Sequence, residues 1–207
     1  GYYQSLADSL VEVVKAYAPA KTAAILEVGC GEGYYLRHLE QGLDRDDSQF
    51  YGLDISKDAV KAAAKLAATQ SYGVASSFAM PVQDASMDVV IRNFAPAPSA
   101  EIHRVLRAEG VFIVVTPGTK HLYQLRQHIY AQASEHDCAV TLVEGFELIY
   151  QRELEEEILI DQPGHVSALL QMTPYYWQAS EQDQAKLDQL AVLSCQTNFI
   201  IRVYKSC

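Results

Sequence analysis

The stretch AILEVGCGEG at residues 24–33 decides the fold, because it joins a short apolar run to a turn that contains three glycines. The run Ala24–Val28 predicts a buried strand, and Gly29, Gly31 and Gly33 predict a tight turn that leads into a helix. Glycines in such a turn let the backbone approach a ligand, since no Cβ stands in the way. The stretch therefore predicts the first strand and helix of an α/β fold, with a ligand-binding loop between them.

An acidic residue follows the next predicted strand, as a nucleoside-binding site requires. The strand Phe50–Leu53 is closed by Asp54, 25 residues after Gly29, where a carboxylate can bind both hydroxyls of a ribose. The glycine spacing is G-x-G-x-G rather than the dinucleotide pattern G-x-G-x-x-G. Glu27 and Glu32 in the same loop would repel a pyrophosphate but suit a ligand with a cationic amino group.

Strand and helix patterns alternate over about the first 135 residues, which predicts a parallel sheet covered on both faces. No repeat, low-complexity tract or linker divides the chain, so a single domain is expected over residues 1–207. The apolar periodicity predicts these further elements: a helix over Tyr2–Tyr17, a helix capped by Ser56, strands at Val74–Ala75, Asp88–Ile91 and Val111–Val115, a long helix from Pro117 through Tyr130, strands at Phe146–Gln151 and Leu154–Ile160, helices at Val166–Gln171 and Glu181–Leu193, and a closing strand at Thr197–Tyr204.

The composition is that of an ordinary globular protein, with 207 residues, 49% hydrophobic and 20% charged. This composition excludes a disordered chain, a collagen-like fibre and a disulfide-built miniprotein. No apolar run approaches the ~20 residues that span a bilayer, so no membrane partner is expected. Sixteen basic and 26 acidic residues give a formal charge of −10, which argues against a broad phosphate-binding surface.

Four cysteines occur, at Cys30, Cys138, Cys195 and Cys207, and none forms a Cys-x-x-Cys pair. This spacing does not build a zinc site, so no metal is expected, and reduced thiols in the cytoplasm are the simplest interpretation. No basic segment followed by an apolar stretch is present to act as a signal peptide.

The acid-x-Gly-x-Gly-x-Gly loop and Asp54 together resemble the class I S-adenosylmethionine-dependent methyltransferases. The segments Ala75–Val82 and Ser86–Val90 resemble the third loop and fourth strand of that superfamily, although Ser76 replaces the aspartate of many members. The resemblance implies a Rossmann-like, doubly wound, mainly parallel seven-stranded sheet with an antiparallel strand near one edge. It also implies S-adenosylmethionine as the cofactor, bound by Glu27, Gly29, Gly31, Gly33, Tyr34, Asp54, Ser76 and Ser77.

Within that superfamily the chain resembles the bacterial 23S ribosomal RNA (guanine-N1)-methyltransferases. The segments that carry this resemblance are Gly29–Tyr35, Gly52–Lys57, Ala62–Lys65, Val74–Ser77, Ser86–Asp88, Ala95–Pro96, Thr116–Gly118, His121–Leu122, Leu170–Pro174 and Cys195–Thr197. Two features depart from the family. This chain has no counterpart of the four-ligand zinc module that precedes the domain in the family, and Arg107–Gly110 replaces the usual basic-Pro-Gly-Gly turn.

Candidate substrate-binding groups follow the fourth strand, because sheets of this kind bind ligands at the carboxyl ends of their strands. Asn93 can hydrogen-bond the edge of a base and Phe94 can stack on it. His121 follows the fifth strand and, when neutral, can accept the N1 proton of guanine. Trp177, with Tyr175 and Tyr176, can form an aromatic wall for a flipped base. Each of these residues is also compatible with an ordinary role in the core or in a loop, and a histidine in the first turn of a helix is more often structural than catalytic.

Three functions stay open at this point. The first is a ribosomal RNA guanine-N1 methyltransferase, with the RNA bound weakly by this chain alone because Glu153 and Glu155–Glu157 form a solvated acidic face. The second is a small-molecule methyltransferase, which the charge of −10 suits better. The third is a protein that binds S-adenosylmethionine without catalysis.

Overall fold

The computed structural model describes residues 1–19, 23–43, 47–130, 138 and 142–207. The helices in these ranges are α1 (Gln4–Tyr17), α2 (Tyr34–Gly42), α3 (Lys57–Leu66), α4 (Ser99–Val105), α5 (Tyr123–Gln127), α6 (His165–Gln171) and α7 (Glu181–Asp188), with a 3₁₀ turn at Pro174–Trp177. The strands are β1 (Ala24–Val28), β2 (Gln49–Asp54), β3 (Ser71–Val74), β4 (Met87–Asn93), β5 (Leu106–Pro117), β6 (Phe146–Ile160) and β7 (Leu193–Ser206). None of the helices in these ranges is long and apolar enough to cross a membrane.

The strands of the described ranges form a seven-stranded sheet in the order β3-β2-β1-β4-β5-β7-β6. The first five of these strands in the sheet pair in parallel. Strands β6 and β7 run antiparallel. Ser194, near the start of β7, hydrogen-bonds to Glu157, whereas Arg202, further along β7, hydrogen-bonds to Gln151, which lies earlier on β6. The predicted Rossmann-like fold, mainly parallel with antiparallel pairing near one edge, is confirmed.

The chain separates into two compact units, of which the first comprises Gly1–Thr116, Val140–Arg152 and Ile200–Cys207. Its core lies along the central strands, where Val90 of β4 and Phe112 of β5 are at most 1% exposed. Helix α1 buries the face that carries Leu6, Leu10 and Val14, as its periodicity predicts.

The second unit comprises Pro117–Ala139 and Glu153–Phe199. Asn198, which is 0% exposed, organises its first loop. The Asn198 carbonyl accepts the N–H of Gly118 at 2.7 Å, and its side chain accepts the N–H of Lys120 at 3.3 Å. The same side chain donates to Glu153 at 2.8 Å. The expectation that residues 1–207 form a single domain stays a prediction.

Several predicted elements have different bounds in the structure. The long helix predicted from Pro117 to Tyr130 is wrong: only Tyr123–Gln127 are helical there, and Leu122 before them has a left-handed backbone with φ of +52°. The two strands predicted between Phe146 and Ile160 form one continuous strand. The predicted cap of α3 is confirmed, since the Ser56 hydroxyl accepts the N–H of Ala59 at 3.3 Å.

Candidate cofactor and substrate site

The site lies where the order of the sheet reverses, between β1 and β4. These parallel neighbours are in register with Val28 opposite Arg92, so their carboxyl ends lie side by side. Open α/β sheets bind ligands in the crevice at such a point, because the loops on either side diverge there. The loop after β1 and the loop after β4 therefore border the candidate site.

The glycine loop is folded tightly against the end of β2. The N–H groups of Gly29 and Cys30 both donate to the carbonyl of Leu53, at 2.8 and 3.0 Å. Gly29 has φ of +75°, and a Cβ placed on it would lie 2.5 Å from the Cβ of Ala95 in the loop after β4. Only glycine fits this position, because any side chain would both strain the backbone and collide with Ala95.

Asp54 connects the glycine loop to the end of β2 through its carboxylate. Its Oδ2 accepts the N–H of Gly31 at 2.8 Å, and its Oδ1 accepts the N–H of Ser56 at 2.8 Å. Each carboxylate oxygen keeps a further lone pair for a ribose hydroxyl. The acid that the sequence singled out thus has a role in shaping the loop, and its predicted contact with ribose stays a prediction.

A cleft of about 370 Å³ opens beside these loops. Six of the predicted site residues line it: Gly29, Asp54, Ser76, Ser77, Asn93 and Phe94. Glu27, Gly31, Gly33 and Tyr34 are not part of its lining. The structure therefore brings together the residues that end β1, β2, β3 and β4, which is the arrangement that a nucleoside-binding cleft in this fold requires.

At the wall of the cleft, Asn93 forms a buried polar pair with Glu27, which is not itself part of the lining. Glu27 is 1% exposed and Asn93 is 5% exposed. The Nδ2 of Asn93 donates to Oε1 of Glu27 at 2.7 Å. Burial raises the pKa of the Glu27 carboxyl from 4.5 to about 8, and the hydrogen bond from Asn93 opposes part of this rise. The amide nitrogen of Asn93 is therefore used inside the protein, and the predicted contact of Asn93 with the edge of a substrate base stays a prediction.

Phe94 presents a large apolar side chain at the cleft from a strained backbone. Its φ is +55° and its side chain is 45% exposed. A left-handed backbone is costly for a residue with a bulky side chain, and such strain concentrates at functional sites. The loop after β3 is shaped locally, because the Ser76 hydroxyl accepts the N–H of Phe78 at 3.2 Å.

Tyr34 lies at the start of α2, where its hydroxyl donates to the side chain of Gln4 at 3.3 Å. Its ring packs edge-on against Tyr35, with 5.1 Å between the ring centres. These contacts hold the ring beside α1. The predicted contact of Tyr34 with the cofactor stays a prediction.

His121 belongs to the second unit and is 5% exposed. Its Nδ1 accepts the backbone N–H of Asn198 at 3.2 Å, and its ring contacts Phe199 with 4.7 Å between ring centres. A neutral histidine that accepts at Nδ1 carries its proton on Nε2, so neither nitrogen is ready to take another proton. The catalytic role of His121 stays a prediction, and this hydrogen bond does not favour it.

The aromatic residues after Pro174 differ in exposure. Trp177 is 84% exposed, whereas Tyr175 is half-buried against Tyr130, with 6.3 Å between ring centres. Trp177 is therefore not a core residue, and its role as a wall for a base stays a prediction. The acidic residues Glu153 and Glu155–Glu157 are exposed, which confirms the predicted solvated face.

The sequence analysis did not assign to the site two large apolar residues that line the cleft. Ile55, directly after Asp54, is 80% exposed, and Phe78, in the loop after β3, is 63% exposed. Both are large apolar residues in loops that follow strands, and this placement was the available signal. Apolar walls of this kind suit the flat face of a purine.

The residues fit S-adenosylmethionine on two observations. The cleft combines apolar walls at Ile55 and Phe78 with the carboxylate of Asp54, as an adenosine group needs. Close behind it, Oε2 of Glu27 and Oδ1 of Asn93 are buried acceptors without a hydrogen-bond partner among the described residues, and a cationic amino group is a donor of matching chemistry. Those same ranges contain no cluster of three His, Cys, Asp or Glu side chains placed to hold a metal ion.

The comparisons with known proteins agree with this geometry. Residues 19–183 match the family model described as a methyltransferase domain. Bacillus subtilis YxjB, which is provisionally named a 23S rRNA (guanine-N1)-methyltransferase, is 30% identical over 92% of this chain and 70% of its own length. The 23S rRNA (guanine(748)-N1)-methyltransferase of Streptomyces fradiae is 27% identical over 90% of this chain and 68% of its own length.

Solved structures share the fold at low identity. The YcgJ protein of Bacillus subtilis has a TM-score of 0.59 at 15% identity, and 98% of this chain and 99% of that one are covered. The [4+2]-cyclase SpnF has a TM-score of 0.63 at 14% identity, and all of this chain and 84% of that one are covered. Because the name of one neighbour gives a cyclase, the fold alone does not determine the reaction. The family match and the curated relatives show that this chain belongs to the methyltransferase-domain family and is an S-adenosylmethionine-dependent methyltransferase, related to the bacterial 23S rRNA (guanine-N1)-methyltransferases.

Proposed function

We propose that this enzyme methylates N1 of a guanine in large-subunit ribosomal RNA. The observation that carries the proposal is the similarity to YxjB, at 30% identity over 92% of this chain. This similarity extends beyond the glycine loop and Asp54, which all methyltransferases of this class share, into the second unit. A cytoplasmic location accompanies a ribosomal RNA substrate.

For methyl transfer, this chain must bind the cofactor, orient the substrate base towards it and exclude water. When bound, the cofactor supplies an electrophilic methyl group on its sulfonium. Gly29, Gly31, Gly33, Asp54, Ser76 and Ser77 shape or line the cleft that would hold it, while Glu27 lies behind that cleft. Transfer is an in-line displacement, so positioning contributes most of the rate. The N1–H bond of guanine breaks as the N1–methyl bond forms, and the proton leaves to water or to a base.

Phe94 is the residue that we assign to the substrate base. It is the exposed aromatic residue at the end of β4, and its ring can stack on a guanine extruded from its helix. Among the described residues that line the cleft, Asp54 is the only titratable group, and both its oxygens already accept backbone N–H groups. The site therefore acts by orientation more than by a dedicated base.

The experiment is methylation of a 23S ribosomal RNA transcript with cofactor labelled in its methyl group. N1 lies on the pairing edge of guanine, so its methylation stops reverse transcriptase. A stop that requires both enzyme and cofactor would locate the target nucleotide. RNA that stays unlabelled, tested both as naked transcript and as assembled subunit, would overturn the proposal.

A small-molecule substrate is the second candidate, and one observation favours it. The second unit carries three basic and ten acidic residues, a distribution that repels phosphates. Transfer of the label to a small cationic or neutral acceptor, with none to RNA, would support this alternative.

A further inference from the structure

Glu27 and Asn93 present an electrostatic problem when no ligand is bound. Both side chains are at least 95% buried, and one hydrogen bond of 2.7 Å joins them. Each keeps one oxygen, Oε2 of Glu27 and Oδ1 of Asn93, without a hydrogen-bond partner in the part of the chain that the structure describes. Two buried acceptors left without donors are costly, because they have lost their hydrogen bonds to water and gained none in return.

A proton on Oε2 of Glu27 would supply a donor to this pair of acceptors. If Oε2 of Glu27 is protonated, it becomes a donor, and Oδ1 of Asn93 is an acceptor on the residue that already donates to Oε1. A carboxylic acid and a primary amide can form a cyclic pair with two hydrogen bonds, one in each direction, of which the structure shows the one from Asn93 to Oε1. The same proton removes a buried negative charge, which is the larger cost.

We propose that Glu27 is protonated in the ligand-free enzyme and donates that proton to Asn93, and that binding of the cofactor's ammonium group expels it. The O–H bond of Glu27 breaks, its electron pair stays on Oε2, and the proton passes to water. The carboxylate that results is compensated by the ammonium. The pair therefore makes the site selective for a cationic amino group, and this inference does not depend on the RNA substrate proposed above.

Several other groups interact with the Glu27 carboxyl. Besides Asn93, the backbone N–H of Leu36 lowers the pKa of Glu27 by a hydrogen bond, whereas the charge of Asp54 raises it and the charge of Arg37 lowers it. Cys30, Tyr35 and Tyr72 are also close enough to interact, and burial raises the pKa of each of them, to about 12 for both Cys30 and Tyr72. These three side chains are therefore neutral near pH 7, where the Glu27 carboxyl, with a pKa of about 8, changes charge.

Proton release can be measured directly by isothermal titration. S-adenosylhomocysteine, which keeps the amino acid end, is titrated into the enzyme at pH 7 in two buffers of different ionisation enthalpy. We expect release of about one proton per ligand bound, because the free carboxyl is then mostly protonated. Between the pKa values of the free and bound states, the dissociation constant should fall roughly tenfold for each unit of pH.

Two controls isolate the pair. Glu27→Gln keeps two complementary hydrogen bonds with Asn93 but has no proton to lose, so its binding should release no proton. The ligand 5′-methylthioadenosine lacks the ammonium and should bind wild-type enzyme without proton release. If both ligands release equal amounts, or if Glu27→Gln releases as much as wild type, the proposal is overturned.

A second measurement keeps the proposal falsifiable if Glu27→Gln fails to fold. The infrared difference spectrum of wild-type enzyme should show the carbonyl band of a protonated carboxylic acid disappearing when S-adenosylhomocysteine binds. Tight binding with that band unchanged, or with no such band in the free enzyme, would overturn the inference while leaving RNA methylation untouched.

Discussion

Oδ2 of Asp54 accepts the backbone N–H of Gly31 at 2.8 Å, and so the acid that ends β2 holds the middle of the glycine loop. The two sequence features that suggested a nucleoside cofactor are thus parts of one hydrogen-bonded structure. Since Gly31 has φ of +52°, the acid fixes a backbone shape that few other residues adopt. Loss of the carboxylate would disturb the loop as well as any contact with ribose.

Asp54→Ala should weaken the binding of S-adenosylhomocysteine by about 1–3 kcal/mol, as the loss of hydrogen bonds to a charged acceptor does. Isothermal titration measures the change. Asp58→Ala, four residues further along and exposed on α3, is the matched control and should bind like wild type. An unchanged dissociation constant for Asp54→Ala would mean that the ribose lies elsewhere.

Gly29→Ala should destabilise the protein more than Gly31→Ala does. Both positions have positive φ, so both variants incur a similar backbone strain of roughly 1–2 kcal/mol. Only at Gly29 would the new methyl group meet Ala95, at 2.5 Å, whereas nothing lies within 4 Å of one on Gly31. The collision should add roughly 1–3 kcal/mol to the loss. Urea unfolding of the two variants measures the difference, and equal losses would contradict this account of the loop.

The stability of the ligand-free enzyme should fall as pH rises from about 5 to about 8, relative to Glu27→Gln. The folded state raises the pKa of Glu27 from 4.5 to about 8, so it binds more protons than the unfolded chain in this window. Stability therefore decreases with pH there, by up to about 1.4 kcal/mol per unit, and levels off above the folded-state pKa. Denaturant unfolding across pH gives the difference curve between the two proteins. A flat difference curve would show that Glu27 is ionised in the fold.

The sequence predicted best what short-range patterns determine. Helix α1 and the cap at Ser56 follow from periodicity and from a hydroxyl in the right place, and the glycine loop follows from its three glycines. The long helix predicted after Gly118 failed because a tertiary contact decides that segment. Asn198 lies about 80 residues away, and its carbonyl and side chain accept the N–H groups of Gly118 and Lys120. No local sequence pattern predicts this pairing.

The same limit applies to the site. Asp54 and Gly29 were predictable because a strand-turn-helix pattern places them at the carboxyl end of the sheet. The partnership of Glu27 with Asn93 joins residues 66 positions apart, and it depends on β1 and β4 being neighbours. Sequence reasoning therefore assigned Asn93 to the substrate. In the structure the amide nitrogen of Asn93 donates instead to the buried carboxyl of Glu27.

Phe94→Leu should lower methyl transfer to RNA while leaving cofactor affinity nearly unchanged. Leucine keeps an apolar side chain but removes the flat ring, and stacking on a base contributes roughly 1–3 kcal/mol. We expect a loss of about tenfold or more in kcat/KM, with Phe94→Tyr retaining most activity. Trp177→Leu is the competing test, because its indole is also exposed. If that variant loses activity and Phe94→Leu does not, the stacking residue is Trp177.

RNA binding by these 207 residues should be weak and should depend little on salt. The chain has a net charge of −10, and Glu155–Glu157 are exposed together on β6. The salt slope grows by roughly 0.7–0.9 log units for each phosphate that a protein neutralises. Few neutralised phosphates therefore mean a shallow slope, which fluorescence anisotropy on a ribosomal RNA hairpin across a salt series measures.

Replacing Glu155, Glu156 and Glu157 with glutamine should tighten RNA binding, because it removes repulsion between the carboxylates and the phosphates. The exposed control set Asp47→Asn, Asp58→Asn and Glu109→Gln should tighten binding less. Tight binding with a steep slope by the unaltered chain would instead show that basic residues such as Arg92, Lys120 and Arg126 form a phosphate-binding surface.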